Sequence, residues 1–204
     1  MRLRGFDLVV CIIAAVVAGS VPAAGQVRVS GPAQVARAVP VPIEPIITTR
    51  IESLLWTPNQ VVVADYYWID MRFGPNLRID AVVVLGPEAR VLGKGLRVQV
   101  RDPESRGRQD GTSFIDYEEL VGLSRALGTM IERTERWTHD DRRATELFFT
   151  TAGGFRLAIR QSARIPRAFL STGLLDPVVT SLDVLELPTL KQAFEQALTL
   201  LNSK

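Results

Sequence analysis

Cysteine and histidine are nearly missing from this 204-residue chain, which contains Cys11 and His139 and no other residue of either type. One cysteine cannot close an internal disulfide. Zinc sites usually draw three or four ligands from histidine and cysteine, and the chain offers too few of both. The composition therefore predicts no disulfide, no metal site and no bound cofactor.

The signatures of common enzymes are also absent. The chain has no Gly-x-Ser-x-Gly nucleophile elbow, and a Ser-His-Asp arrangement could use only His139. Gly93-Lys94-Gly95 lacks the spacing of a P-loop and precedes a strand pattern, so its glycines indicate a bulge or a bend. We assign no catalytic residue and favour a protein without catalytic activity.

Neither sign of charge dominates, since 24 Lys and Arg face 22 Asp and Glu. Loss of the first 25 residues would remove two arginines and one aspartate and lower the net charge from +2 to about +1. Proteins that attract nucleic acid or anionic membranes carry a larger basic excess. The balance therefore predicts no nucleic-acid partner.

The N-terminus is typical of a secretory signal peptide. Two arginines precede the apolar run from Leu8 to Ala18, and small residues follow up to Gly25. The run is shorter than the roughly 20 residues of a spanning helix. We expect cleavage of residues 1–25 and export to a periplasm or the medium, with no membrane span in the mature chain. An uncleaved N-terminal anchor is the alternative.

Prolines define the next segment. Residues 26–45 contain four of them and show no helical or strand period, which indicates an extended, flexible tether. Residues 46–204 are long enough to bury a full core, and we expect them to form a single domain.

Period-two alternation indicates four strands in the first half, at 47–56, 59–73, 77–85 and 91–101. Turn residues between them favour an antiparallel meander. The charged stretch 102–113 is predicted to be a loop. Asp116 and Glu119 form a predicted capping box for a helix from Tyr117 to about Glu132.

The second half repeats this order. Strands are predicted at 147–151, at 155–161 after the Gly153-Gly154 turn, and near 167–171, and a helix starts at Pro188. The predicted fold class is α+β, with two antiparallel β-meanders each followed by an amphipathic helix.

This order of elements resembles the single-stranded nucleic-acid-binding folds of the Whirly or PUR kind, which are built from two sheet-plus-helix repeats. The resemblance is one of topology, because the chain matches no motif of these proteins. Export and a nearly neutral mature chain point away from their function.

The stretch DYYWID, residues 65–70, crowds three aromatic residues between two carboxylates of a predicted strand. A tight turn at 74–76 would set Phe73 opposite Leu77 and pair the two strands beyond it. Arginine and aspartate side chains would then form a charge lattice at the hairpin tip. The predicted pairs on this face are Arg72 with Arg78, Asp70 with Asp80, Trp68 with Val82, and Tyr66 with Val84.

Three interpretations of this face remain open. A helix or the N-terminal strand could cover its aromatic residues, since large aromatics are seldom left bare. A ligand or partner could bind there through Tyr66 and Trp68. A catalytic carboxylate pair at Asp70 and Asp80 is the third, although nearby arginines would neutralise both.

A second set of basic residues lies on the strand at 155–161. Arg156 and Arg160 share one face, and Arg164 and Arg167 follow. They could contact an acidic partner, or they could protect an edge strand against pairing with other chains.

We therefore expect an exported, non-catalytic module that binds an envelope protein or a small ligand through a sheet face. The alternatives are a secreted hydrolase that uses aspartate carboxylates and a structural subunit that forms homo-oligomers. The sequence does not fix the oligomeric state. The candidate binding residues are Tyr66, Trp68, Asp70, Arg72, Arg78, Asp80, Arg156 and Arg160.

Overall fold

The computed structural model describes residues 46–69, 73, 76–102, 110–139, 144–162 and 165–204. The predicted signal peptide, residues 1–25, and the predicted tether, residues 26–45, lie outside this part of the chain. Within it, no helix is both long enough and apolar enough to cross a membrane.

The described residues form two four-stranded antiparallel sheets and three α-helices, and the predicted α+β class is confirmed. One sheet precedes the long helix Tyr117–Glu135, and the other precedes the helix Leu187–Asn202. Sheet A contains β1 (Val63–Trp68), β2 (Leu77–Leu85), β3 (Val91–Arg101) and β4 (Asp110–Asp116), in that order. Sheet B contains β5 (Thr145–Thr150), β6 (Arg156–Ser162), β7 (Ile165–Thr172) and β8 (Val178–Asp183), also in order. The helices are α1 (Arg50–Trp56), α2 (Tyr117–Glu135) and α3 (Leu187–Asn202).

The first predicted strand, residues 47–56, is wrong, because this segment contains α1. Thr49 accepts a hydrogen bond from the backbone nitrogen of Glu52, and the Glu52 side chain accepts one from Thr49 in return. This capping box satisfies donors that a helix start would otherwise leave open. Ile51, Leu54 and Leu55 then fall on one side at helical spacing, which the alternating pattern concealed.

The predicted loop at 102–113 is also wrong over its last residues, since β4 starts at Asp110 and pairs along β3. Its inward positions include Gly111 and Ser113, which give almost no hydrophobic signal. Strand β8, which the sequence analysis did not predict, completes sheet B beside β7.

Both long helices form near their predicted positions, but the predicted capping box of α2 is wrong. Asp116 occupies the N-cap position without a side-chain bond to α2. Its carboxylate instead accepts hydrogen bonds from the backbone nitrogens of Arg50 and Ile51 in α1, at 2.7 and 3.1 Å. Glu119 accepts one from the backbone nitrogen of Ala152, at 2.9 Å. Tertiary partners have thus replaced the local ones.

One main core joins both sheets and both long helices. The inner faces of β2, β3 and β6 contribute Ile79, Val98 and Leu157, all fully buried. Phe155 and Phe194 meet edge to face with ring centroids 6.1 Å apart. A smaller cluster on the outer face of sheet A consists of Ile51, Val82 and Val84.

Candidate binding faces

The hairpin of β1 and β2 differs from its predicted register by two residues. Trp68 lies opposite Asp80 rather than Val82, and Tyr66 lies opposite Val82 rather than Val84. A shift of two keeps every side chain on its predicted side, because side chains alternate with a period of two. The aromatic residues and Asp80 therefore share the outer face as expected, with different neighbours.

Phe73 lies at a bend and not in a strand, so it does not extend the ladder opposite Leu77 as predicted. Its side chain is buried in the main core. The strand predicted at 59–73 is correspondingly shorter, since β1 ends at Trp68. Two predicted binding residues, Asp70 and Arg72, lie outside the described residues, and so the predicted charge lattice can be described only at Arg78 and Asp80.

Asp80 is a fully buried carboxylate held between two arginines. Nε of Arg78 lies 3.0 Å from Oδ1, and Nη2 of Arg97 lies 2.8 Å from Oδ2. Arg97 lies on β3 directly opposite Asp80, so the register of β2 and β3 brings the two side chains together. A buried charge is tolerated where hydrogen-bonded opposite charges surround it, and Asp80 meets that condition.

Arg97 also contacts the aromatic residues of this face. Its guanidinium carbon lies 3.9 Å from the centre of the Tyr66 ring, a cation–π contact. Trp68 lies opposite Asp80 with 65% of its surface exposed. We call Tyr66, Trp68, Asp80 and Arg97 the aromatic face.

Helix α1 covers the part of the outer surface next to the aromatic face. A Cβ on Gly95 would lie 2.4 Å from Cδ1 of Ile51, and one on Gly93 would lie 2.7 Å from Cδ1 of Leu54. The two glycines therefore admit α1 onto the sheet. The predicted cover over this face exists, but it protects Val82 and Val84 and leaves Trp68 in solvent.

The predicted catalytic pair of Asp70 and Asp80 stays a prediction, because Asp70 lies outside the described residues. The other carboxylate of this hairpin, Asp65, does not take its place. Asp65 lies opposite Val83, which belongs to the main core, whereas Asp80 faces outward. The two carboxylates thus project from opposite sides of the sheet. The described residues contain no group of three or more side chains able to hold a metal ion.

A polar cleft of about 160 Å³ lies beside the aromatic face and is lined in part by Arg78, Gln99 and Arg101. Nε of Arg101 lies 3.0 Å from Oδ1 of Asp110. This hydrogen bond, aided by charge attraction, raises the pKa of Arg101 above its ordinary value. Both arginines of the cleft thus have carboxylate partners already, and the cleft offers little unpaired charge to a ligand.

The outer face of sheet B has a different composition. Phe148, Ala158 and Phe169 form a row across β5, β6 and β7. Arginines flank this row on both sides, with Arg160 and Arg167 in the neighbouring row towards one end of the strands and Arg156 in the neighbouring row towards the other. We call Phe148, Phe169, Arg156, Arg160 and Arg167 the arginine face.

One arginine of the arginine face has a carboxylate partner on this side of the sheet, and the others are exposed to solvent. Nε of Arg160 lies 3.0 Å from Oε1 of Glu146, and its guanidinium lies 5.4 Å from the ring centre of Phe169. Arg156 lies over Phe148 at 5.0 Å. Arg167 is exposed, and 64% of the Phe148 surface is exposed. These exposures show that no described element covers this face.

The interpretation of Arg156 and Arg160 as protection of an edge strand is wrong. β6 pairs with β5 on one side and β7 on the other, so it is an interior strand with no free edge. Arginines there protect nothing against pairing. The structure places them on a different sheet from Tyr66, Trp68, Arg78 and Asp80, so the candidate residues divide between two faces.

Four contributors were not among the candidate binding residues: Arg97, Phe148, Phe169 and Arg167, although the sequence analysis had noted Arg167 after Arg160. Alternation within β3 places Arg97 on an outer face, but its pairing with Asp80 depends on the bulge near Val84, where the register shifts. Two adjacent phenylalanines at 148 and 149 concealed which of them faces solvent. Pairing the strand pattern at 155–161 with both neighbours would have revealed the row.

Neither a protein-family model nor a curated protein sequence matches this chain. Among solved structures, the crystal structure of WHY1 from Arabidopsis thaliana is similar with a TM-score of 0.28 and 13% sequence identity. That match covers 71% of this chain and 88% of the other. A likeness at this level supports no inference about function.

Proposed function

We propose that this chain is an exported binding module whose arginine face binds an acidic segment of a partner protein. One observation carries the proposal: the outer face of sheet B presents to solvent arginines of its interior strands, β6 and β7, together with Phe148 of its edge strand β5. Sheet A, by contrast, has α1 packed on part of its outer side.

The arginines of this face differ in what they have left to bind. Arg160 is paired with Glu146. The side chains of Arg156 and Arg167 make no hydrogen bond or ion pair with the described residues, and both are exposed. Arginine guanidinium groups bind carboxylates through two parallel hydrogen bonds. The two unpaired arginines therefore suit two carboxylates on a partner.

The aromatic row suits an apolar side chain between those carboxylates. Ala158 lies between Phe148 and Phe169, so a small side chain stands between two rings in this row. Exposed aromatics beside arginines are the residue types enriched in protein interfaces. A segment with acidic residues on both sides of an apolar one would match this face, in which arginines lie on both sides of the aromatic row.

The charge pattern favours a protein partner over nucleic acid. Glu146 lies opposite Arg160, and Asp183 lies opposite Arg167, so carboxylates stand at both ends of the arginine row. These carboxylates would repel successive phosphates of a nucleic-acid strand, whereas a short acidic segment needs only the central arginines.

Export rests on the sequence of residues 1–25 and is tested directly. Cells that express the full chain should release or hold it outside the cytoplasm, with a new N-terminus near residue 24 or 26. An intact N-terminus in the membrane fraction would support the anchored alternative, and a cytoplasmic, uncleaved chain would contradict the proposal.

Peptide selection tests the binding face. Protein purified from cells expressing the full chain is used to select displayed peptides, and the affinities of the enriched peptides are measured by fluorescence anisotropy. We expect acidic residues beside an apolar one. The double variant Arg156→Ala/Arg167→Ala should weaken binding by about tenfold or more, since charge-assisted hydrogen bonds contribute roughly 1.5–3 kcal/mol each.

Arg101→Ala is the matched control, because it removes an exposed arginine from the other sheet. It should leave the affinity nearly unchanged. Peptides without acidic residues, or equal loss in the control, would contradict the proposal. Tight binding of a labelled oligothymidylate that is lost in the double variant would assign the face to nucleic acid instead.

A further inference from the structure

We propose that the outer edge of β1 pairs with β1 of a second copy of this chain, joining two copies of sheet A across a twofold axis. β1 pairs with β2 on one side, and no described strand lies on its other side. The six residues of β1 include no lysine or proline, which are the usual protections of a free edge.

Exposed apolar side chains concentrate around this edge. Val61 and Val63 are 85% and 53% exposed, and Trp68 is 65% exposed at the other end of the strand. Trp56, at the end of α1, and Tyr66 are exposed too. An exposed apolar stripe beside an unprotected strand edge is a surface to which another β-strand can bind.

The hydrogen bonding of β1 fixes which groups the edge offers. The backbone nitrogen of Ile69 donates to the carbonyl of Ile79 in β2, at 3.1 Å. Backbone groups of alternate residues in an antiparallel strand point to opposite sides. Ala64, Tyr66 and Trp68 therefore direct their backbone groups outward, where a second strand can bind them.

Charge selects one register among those the edge allows. A twofold axis through Asp65 would set the two Asp65 carboxylates directly against each other. An axis through Tyr66 instead sets Asp65 of one copy opposite Tyr67 of the other, and Nζ of Lys204 lies 4.7 Å from the centre of the Tyr67 ring. Each Asp65 would then meet the Lys204 ammonium of the second copy, twice by symmetry.

A charge swap tests this pairing in the purified full-chain product. Sedimentation across a concentration series should show a dimer, and Asp65→Lys or Lys204→Asp should raise its dissociation constant by about tenfold, whereas the double swap should restore it to near the original value. Asp110→Lys, on the opposite edge of sheet A, is the control and should have no effect.

Cross-linking checks the register without depending on those charges. In a Cys11→Ser background, Tyr66→Cys should form an intermolecular disulfide on oxidation, because the axis brings the two positions opposite each other. Asp65→Cys should cross-link far less. A monomer at all concentrations would overturn the proposal and leave the edge for a strand of another protein. A dimer unaffected by the charge swaps would overturn it too.

Discussion

Asp80 is the residue on which the outer surface of sheet A depends most. Its carboxylate is fully buried and receives hydrogen bonds from Arg78 and Arg97. Arg97 in turn stacks on Tyr66. The aromatic face is therefore organised around one buried charge.

Replacing Asp80 by alanine should destabilise the protein by about 2–3 kcal/mol, because two charge-assisted hydrogen bonds are lost and Arg97 is left partly buried without its partner. Urea unfolding measures the change. Asp110→Ala is the control, since it breaks the exposed ion pair between Asp110 and Arg101 in the same sheet. It should lower the free energy of unfolding by less than about 1 kcal/mol. Equal losses in the two variants would contradict the structural role of Asp80.

The period-two alternation along a strand predicts which side chains share a face of the sheet. It does not predict which of them are in contact across neighbouring strands. Tyr66, Trp68, Arg78 and Asp80 lie on the outer face, as their alternation indicates. The ion pair with Arg97 depends on the register between β2 and β3, which shifts by a bulge near Val84. A bulge changes every later pair, and one chain's local pattern carries little signal for it.

Among the elements, α1 shows how a distant residue decides a local structure. Its first backbone nitrogens bind the Asp116 carboxylate, which lies 66 residues from Arg50 in sequence. Glycines 93 and 95 leave the space that it occupies. A seven-residue helix is too short to be stable by itself, so its stability comes from these tertiary contacts.

Asp116→Ala should therefore release α1 more than it disturbs α2. We expect a loss of about 1–2 kcal/mol, the usual cost of a lost helix cap. Amide hydrogen exchange should quicken over residues 50–56, while α2 stays protected because Asp116 makes no side-chain bond to it. Glu118→Ala, in the exposed first turn of α2, is the control. Faster exchange in α2 instead would show that the capping of α2 was the main role.

The elements that the sequence predicts well are those whose burial is strong and regular. Helices α2 and α3 and strands β2 and β3 carry long apolar stripes and appear near their predicted bounds. β4 fails this criterion, because Gly111 and Ser113 take its inward positions. A Cβ on Gly111 would crowd β7 and β8, and the Ser113 hydroxyl accepts a hydrogen bond from the backbone nitrogen of Gly173. The residue types at these positions depend on packing against residues that are distant in sequence, and a local sequence pattern does not show that packing.

At the scale of the whole molecule, the two repeats share one core. Residues of sheet A, sheet B, α2 and α3 belong to a single buried cluster. Within the described residues, sheet A has besides this core the small cluster of Ile51, Val82 and Val84, which is too small to keep the sheet folded after sheet B is lost.

Unfolding should therefore occur in one transition for both halves. Leu157→Ala in β6 should destabilise the protein by about 2–5 kcal/mol, the usual range for a large-to-small core change. In a Trp137→Phe background, the fluorescence of Trp56 and Trp68, which lie in the first half, should shift its midpoint together with the far-UV circular dichroism signal. Ile79→Ala should shift both signals in the same manner. Separate midpoints would show two independent units.

The end of α3 is tied to the first half of the chain. Nζ of Lys94, in β3, donates to the carbonyl of Leu201 at 2.9 Å, and Leu201 is fully buried in the main core. During synthesis the strands of sheet A leave the ribosome long before this helix does. The apolar surface of these strands therefore stays exposed until α3 has been synthesised, and a chaperone that binds unfolded chains can act during that interval.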